Sequence, residues 1–141
     1  MEVKAYRYRL YPTKKQVTCL KRTLDICRWV YINTLAMRKN TWETDKQTSY
    51  FETKRQLPIW KREKPELKTV HSQVLQDVMK RVDLALQAFF RRVKNGENPG
   101  YPRFKGYGRY DSITYSQSGF HLNSNIIGYL TIYELVDVLN N

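Results

Sequence analysis

A regularly spaced apolar stripe between residues 71 and 94 is the feature that most limits how this chain can fold. Steps of three and four residues place six apolar side chains on one helical face: Leu75, Met79, Val82, Leu86, Phe89 and Val93. The next six residues, 95–100, contain two glycines and a proline, which interrupt a helix. The pattern predicts a long helix from about His71 to Lys94 that buries one side.

Two further helices are predicted before this one. Thr13 and Gln16 have the spacing of a capping box, in which each side chain bonds the backbone of the other. A stripe then predicts a first helix from about Lys14 to Lys39: Val17, Leu20, Leu24, Cys27, Tyr31 and Leu35. Ser49 and Glu52 form a second capping box. We expect that helix to stop before Pro58 and residues 58–69 to form an exposed connector.

Both ends of the chain have the composition of β-strands. In residues 5–11 aromatic and basic residues alternate, as they would on the two faces of a strand. Residues 112–116 and 126–133 are rich in β-branched and aromatic side chains. Because the helices lie between these segments, the pattern predicts an α+β fold in which the helical block interrupts a small sheet or barrel.

Positive charge is concentrated in one part of the sequence. Residues 1–110 contain all 25 Lys and Arg residues and 10 acidic ones, whereas residues 111–141 contain three acidic residues and no Lys or Arg. A net charge of +12 is typical of proteins that bind polyanions. The chain has no run of 18 apolar residues and no apolar signal-peptide core after Met1, so we expect a cytoplasmic protein. Cys19 and Cys27 are expected to be reduced, because their spacing suits neither a metal site nor a bridge within one helix.

Five short motifs, in order, resemble those of the OrfB/TnpB proteins of insertion sequences. They lie within residues 27–33, 72–76, 89–92, 100–105 and 112–119; the opening stretch of residues 5–16 and the pair Arg38-Lys39 also resemble the family, and the likeness extends over residues 3 to about 122. Members of that family have an N-terminal helix-turn-helix and are RNA-guided DNA nucleases related to type V CRISPR effectors. The resemblance implies a β-barrel wedge domain with a helical recognition lobe inserted after its first strand.

This resemblance also implies a domain organisation. Residues 1–12 would form the first wedge strand, residues 13–95 the helical lobe, and residues 96–122 the return to the wedge domain. Residues 123–141 depart from the family, because they have no positive charge where relatives continue with basic strands. Our hypothesis for this divergent tail is a reading frame that changes near residue 122, in a chain truncated before the nuclease domain.

Candidate nucleic-acid contacts come from residue chemistry and from the resemblance. Residues 101–105 alternate aromatic and basic side chains, which can stack on bases and meet phosphates; the alternative is that Phe104 fills the core and Pro102 shapes the turn. Gln73 and Gln76 could bond an adenine edge, or be ordinary helix-surface residues. The resemblance implies DNA-motif recognition at Tyr50, Ser72, Gln76 and Ser116. The full set of expected contacts is Arg7, Arg9, Tyr11, Lys14, Arg28, Tyr50, Ser72, Gln73, Gln76, Arg91, Arg92, Tyr101, Arg103, Phe104, Lys105 and Ser116.

Catalysis has little support in this sequence. Cleavage by type V-like enzymes needs carboxylates that hold two metal ions, and the family supplies them from a C-terminal domain. The acidic residues within residues 1–110 do not have the spacing of metal ligands, and we interpret them as residues on the solvated faces of helices. We therefore expect no catalytic residue, no metal and no cofactor in this chain, which would not be an enzyme by itself.

Two functions remain open from the sequence. The first is a nucleic-acid-binding module that binds guide RNA and target-flanking DNA without cleaving, with no membrane or small-molecule partner. The alternative is a helix-turn-helix protein, formed by about Thr13–Arg55, that binds duplex DNA and regulates transposition.

Overall fold

Three α-helices make up most of the computed structural model, which describes residues 9–43 and 49–115. Helix α1 spans Lys14–Glu43, α2 spans Tyr50–Glu63 and α3 spans Ser72–Lys94; a short 3-10 helix, Pro65–Thr69, joins α2 to α3. None of the helices in these two ranges is long and apolar enough to cross a membrane.

The predicted α+β fold with a β-barrel wedge is wrong, because the described residues are helical and contain no strand. Residues 112–115 lie where a strand was predicted, but no strand lies beside them within residues 9–43 and 49–115, and Arg81 of α3 donates hydrogen bonds to Ser112 and Thr114. β-Branched residues favour an extended backbone, but a sheet also requires a partner strand. Residues 1–8, most of the predicted first strand, and residues 126–133 lie outside the described ranges. The domain boundaries stay a prediction.

The two predicted capping boxes are confirmed. The Thr13 backbone N–H donates to Gln16 Oε1 at 2.9 Å, and the Gln16 N–H donates to Thr13 Oγ1 at 3.3 Å. The same reciprocal pair links Ser49 and Glu52. Each box satisfies two backbone donors that a helix N-terminus leaves unpaired, so both helices begin where the sequence places them.

Helix α2 continues through Pro58, whereas the sequence predicted that it would stop there. A proline inside a helix removes one backbone hydrogen bond and costs about 3 kcal/mol. Leu57 and Trp60, on either side of Pro58, are 3% and 9% exposed, so both halves of α2 are anchored in the core. Burial of these two side chains offsets the cost, since a fully buried Leu-sized side chain contributes about 1.5–3 kcal/mol.

The core forms between α1 and α3, with α2 and the 3-10 helix closing it. The predicted stripes are confirmed in their central parts, where Cys27 and Leu35 of α1 and Leu75 and Met79 of α3 are fully buried. At the end of α3 the prediction is wrong, because Val93 is 51% exposed. Residues 91–94, the last turn of α3, are all exposed, so the buried stripe ends before the helix does.

After α3 the chain turns at Gly96 and returns along the helix bundle as an extended segment, the strap (residues 101–115). Three ring contacts anchor the strap. Tyr101 meets Phe89 of α3 with centroids 5.2 Å apart, Tyr110 meets Tyr31 of α1 at 5.9 Å, and Tyr115 meets His71 at 5.8 Å. The strap therefore runs antiparallel to α3, from its last turns to its N-cap, and touches α1 on the way.

Candidate nucleic-acid interface

The middle of the strap is a surface loop, the basic loop (residues 103–109). Arg103, Lys105 and Arg109 are exposed, and Phe104 and Tyr107 are 48% and 83% exposed. A turn at residues 106–109, with Gly108 in the left-handed region at φ 70°, bends this segment outwards. The interpretation of Phe104 as a core residue is wrong, because cations and rings both project to the surface here.

Arg28 connects the basic loop to α1. Its Nε donates to the backbone carbonyl of Lys105 at 2.8 Å, and the Lys105 ammonium lies 5.6 Å from the centroid of the Tyr31 ring. Lys14 and Lys21 precede Arg28 at steps of seven residues, so the three lie along one side of α1 over about 21 Å. We call this row, Lys14, Lys21 and Arg28, the basic edge; Asp25 is an acid beside it.

The N-terminal part of α3 places three of the expected contacts near one another. Ser72 and Gln73 lie in the first turn, and Gln76 follows one turn later and is half-buried. The Lys61 ammonium of α2 donates to Ser72 Oγ at 2.7 Å. Burial and the neighbouring Lys68 lower the pKa of Lys61. Sequence reasoning missed Lys61, because no local spacing links it to Ser72.

The remaining expected contacts are dispersed. Arg91 and Arg92 are exposed in the last turn of α3, where positive charge also suits the helix dipole. The Arg9 guanidinium lies 5.4 Å from the ring centroid of Tyr11, which is 73% exposed. Tyr50 is half-buried on α2, and its pKa is raised by burial and by the carboxylates of α3.

Tyr101 has a structural position, since it packs against the core and the Phe89 ring. Its ring is therefore occupied within the fold rather than presented on the surface. Arg7 and Ser116 lie outside the described residues, so their roles stay predictions.

Sequence reasoning also missed Arg81 of α3, which holds the strap. Its Nε donates to Asp77 at 2.8 Å, Nη1 donates to Tyr110 and Ser112, and Nη2 donates to Thr114 at 2.8 Å. Burial raises the pKa of Tyr110, and the nearby Arg81 charge opposes this rise only in part. The Tyr110 hydroxyl therefore stays protonated. The i,i+4 spacing of Asp77 and Arg81 was a readable signal for the helical ion pair. Nothing in the sequence indicated the bonds to the strap.

The acids of α3 have defined partners. Asp77 pairs with Arg81, and Asp83 pairs with Arg38 of α1 at 2.8 Å, with side chains 18% and 13% exposed. The interpretation of all acids as solvated helix faces is therefore wrong for these two. Within residues 9–43 and 49–115 no group of three or more His, Cys, Asp or Glu residues could hold a metal ion.

Comparisons with known proteins agree on one family. A family model described as a helix-turn-helix domain of the OrfB/IS605 type matches residues 1–47. A Streptomyces pristinaespiralis protein provisionally named an RNA-guided DNA endonuclease is 30% identical over 141 residues, covering 97% of this chain and 33% of that protein. The provisionally named RNA-guided DNA endonuclease InsQ of Escherichia coli K12 is 30% identical over 118 residues, covering 82% of this chain and 28% of InsQ. The chain spans about a third of the length of these relatives. On the evidence of this family model and these two relatives, the chain belongs to the OrfB/TnpB family of insertion-sequence proteins.

Proposed function

We propose that this chain is a nucleic-acid-binding segment of an RNA-guided DNA endonuclease of the cytoplasm, and that it binds guide RNA and target-flanking DNA without cutting DNA by itself. The names of the two relatives and the helix-turn-helix match support this assignment. The observation that carries it is the Arg28–Lys105 hydrogen bond, because this contact joins the basic edge and the basic loop into one surface.

The basic edge suits a nucleic-acid backbone in length and charge. A duplex carries one phosphate per about 3.4 Å of axis on each strand, so the roughly 21 Å of the basic edge runs beside about six phosphates of one strand. Each of the three cations of the basic edge can therefore meet a phosphate of that strand, and the three cations of the basic loop extend the positive surface beside Arg28. Asp25 reduces the local charge by one and leaves the surface strongly positive.

The exposed rings add a contact that duplex DNA alone does not need. Phe104 and Tyr107 alternate with the loop cations and present apolar faces to solvent. Unpaired bases stack on such rings, with a contribution of about 1–3 kcal/mol per base. Rings beside cations are therefore suited to the single-stranded parts of a folded RNA.

Salt titration tests the proposed surface. Affinity for a structured RNA and for a DNA duplex is measured by fluorescence anisotropy at several salt concentrations. For the parent chain, log K against log[salt] should have a slope of several units. The loop variant, Arg103→Ala with Lys105→Ala and Arg109→Ala, should lower its magnitude by about two to three.

A matched control removes three exposed cations from α2 and the 3-10 helix: Arg55, Arg62 and Lys68. This control should change the slope far less, since those cations belong to neither the basic edge nor the basic loop. Equal slopes for the loop variant and the control, or a flat salt response of the parent, would contradict the proposal.

The helix-turn-helix match favours a second candidate, a regulator that binds duplex DNA. Within residues 9–43 the matched range holds one long helix, α1, and the next helix that the structure describes is α2, beyond residue 47. We propose that these two helices would form such a motif. Copurification separates the two functions. Structured RNA bound to the purified chain supports the first, whereas clean protein that shifts duplex DNA and ignores RNA supports the second.

A further inference from the structure

Arg81 of α3 attaches the strap through several hydrogen bonds, in addition to the bond that Arg28 of α1 makes to the Lys105 carbonyl. Arg81 donates to three strap residues, with Nη1 bonding the Tyr110 hydroxyl at 3.1 Å, the Ser112 carbonyl at 3.1 Å and Ser112 Oγ at 2.8 Å. Nη2 reaches Thr114 Oγ1 at 2.8 Å. The guanidinium carbon also lies 5.5 Å from the centre of the Tyr110 ring. One planar group therefore bonds the strap at residues 110, 112 and 114.

The side chain of Arg81 is itself held in place. Its Nε donates to Asp77 Oδ2 at 2.8 Å, one turn earlier on α3, and the Arg81 side chain is 28% exposed. This bond fixes the direction of the guanidinium, so that its two Nη groups face the strap. A lysine at this position keeps the charge, but a single ammonium cannot reproduce the fork of donors.

The Arg81 contacts lie at one end of the basic loop. At its other end the chain is held by Tyr101, whose ring packs on Phe89. Between them, the Arg28 bond to the Lys105 carbonyl holds the loop on α1. Without the Arg81 bonds, the contacts that the described part of the chain shows for residues 110–114 are the apolar ones of Tyr110 and Ile113 with the core, and the loop cations lose a fixed position relative to the basic edge.

We infer that Arg81 is a positioning residue of the nucleic-acid interface: it fixes the strap on α3 and thereby holds the basic loop beside the basic edge. This inference rests on the proposed function for its effect on binding. The claim that Arg81 fixes the strap on α3 does not depend on any nucleic acid. Arg81 acts through the strap, since each of its three guanidinium nitrogens donates to a protein group.

Hydrogen–deuterium exchange and salt-dependent binding together test this role. Arg81→Lys should leave the far-UV circular dichroism near that of the parent. It should accelerate exchange in peptides from residues 101–115 by about tenfold or more, because the strap can then open without breaking the forked hydrogen bonds of Arg81. For a random-sequence DNA duplex, the salt slope should fall by about one unit for each loop cation that loses its phosphate. Arg91→Lys, on the same helix, is the control and should leave strap exchange unchanged.

A second variant reaches the same contacts without altering α3. Ser112→Ala with Thr114→Val removes the two strap hydroxyls that accept from Arg81 and leaves the Arg81–Asp77 pair intact. It should shift strap exchange and the salt slope in the same direction as Arg81→Lys but by less, because the bonds to the Tyr110 hydroxyl and the Ser112 carbonyl remain. This variant is the test to use if Arg81→Lys lowers the helicity of α3.

The outcomes separate this inference from the proposed function. Parent-like exchange in residues 101–115, or faster exchange with unchanged affinity and salt slope, would overturn the role of Arg81. If the loop variant of Arg103, Lys105 and Arg109 lowers the slope while Arg81→Lys does not, only the present inference fails. If the loop variant keeps the parent slope, the proposed function fails whatever the exchange data show.

Discussion

The Arg38–Asp83 ion pair between α1 and α3 gives the sharpest test of how this fold is held together. Arg38 Nη1 lies 2.8 Å from Asp83 Oδ1, and the two side chains are only 11% and 13% exposed. Gln87 Nε2 also donates to Asp83, at 2.6 Å. Arg38→Met keeps much of the side-chain volume but leaves the Asp83 carboxylate with the amide of Gln87 as its remaining partner among these groups.

The size of the effect follows from the burial of the pair. At 2.8 Å and an effective dielectric constant of about 20, the attraction is about 6 kcal/mol, much of which repays the desolvation of both groups. Removing one partner of a buried pair costs about 3–5 kcal/mol. Because Gln87 remains and some solvent reaches the pair, we expect Arg38→Met to lower the free energy of unfolding by about 2–4 kcal/mol.

The double variant separates the charge from the packing. Arg38→Met with Asp83→Leu removes both charges, so it should cost about 1 kcal/mol or less and be more stable than Arg38→Met alone. Urea unfolding followed by circular dichroism measures all three proteins, with Arg91→Met as the exposed control expected within about 0.5 kcal/mol of the parent. If the double variant is no more stable than Arg38→Met alone, or if Arg38→Met resembles Arg91→Met, the buried-pair reasoning is refuted.

Three further measurements test the pH dependence of stability, the burial of Phe89 and the absence of DNA cleavage. Burial raises the pKa of the Cys27 thiol from 9.0 to about 12. As the pH rises, the Cys27 thiol therefore ionises in the unfolded chain before it does so in the folded one. The stability that comes from keeping this thiol protonated is intact below about pH 9 and is lost towards pH 12, at up to about 1.4 kcal/mol per pH unit. In urea titrations at alkaline pH, Cys27→Ala should fall less steeply than the parent; identical pH profiles would contradict this. Phe89→Ala should cost about 1–2 kcal/mol because its ring is half-buried, whereas Met79→Ala should cost about 2–5 kcal/mol; equal losses in urea unfolding would mean that Phe89 belongs to the core. With Mg²⁺ and guide RNA the chain should bind labelled DNA without cutting it, because cations attract phosphate but cannot coordinate Mg²⁺; cleavage abolished by Asp77→Asn or Asp83→Asn, with binding intact, would contradict this.

Local patterns were sufficient to predict where the helices begin. Each capping box uses residues three positions apart, so its geometry is contained within one turn and needs no tertiary partner. The apolar steps of three and four residues likewise identified the buried centres of α1 and α3, because side-chain direction on a helix repeats every 3.6 residues. The family was also readable, since its motifs are short and ordered along the chain.

The features that were predicted wrongly depend on contacts between distant residues. Helix α2 continues through Pro58 because Leu57 and Trp60 are both buried. Their burial depends on tertiary packing, so the residues around Pro58 could not predict it. Residues 112–115 have strand-like composition, yet their polar partner is Arg81, some 30 positions earlier.

For the candidate interface too, some features could be predicted from the sequence and others depend on the tertiary structure. The sequence by itself determined that cations and rings alternate in residues 103–109, because that is a matter of composition. Only the tertiary structure decided that this loop lies beside the basic edge of α1, through a bond between Arg28 and the Lys105 carbonyl. A backbone carbonyl has no signature in the amino-acid sequence, and contacts to it arise only once packing has brought two distant segments together.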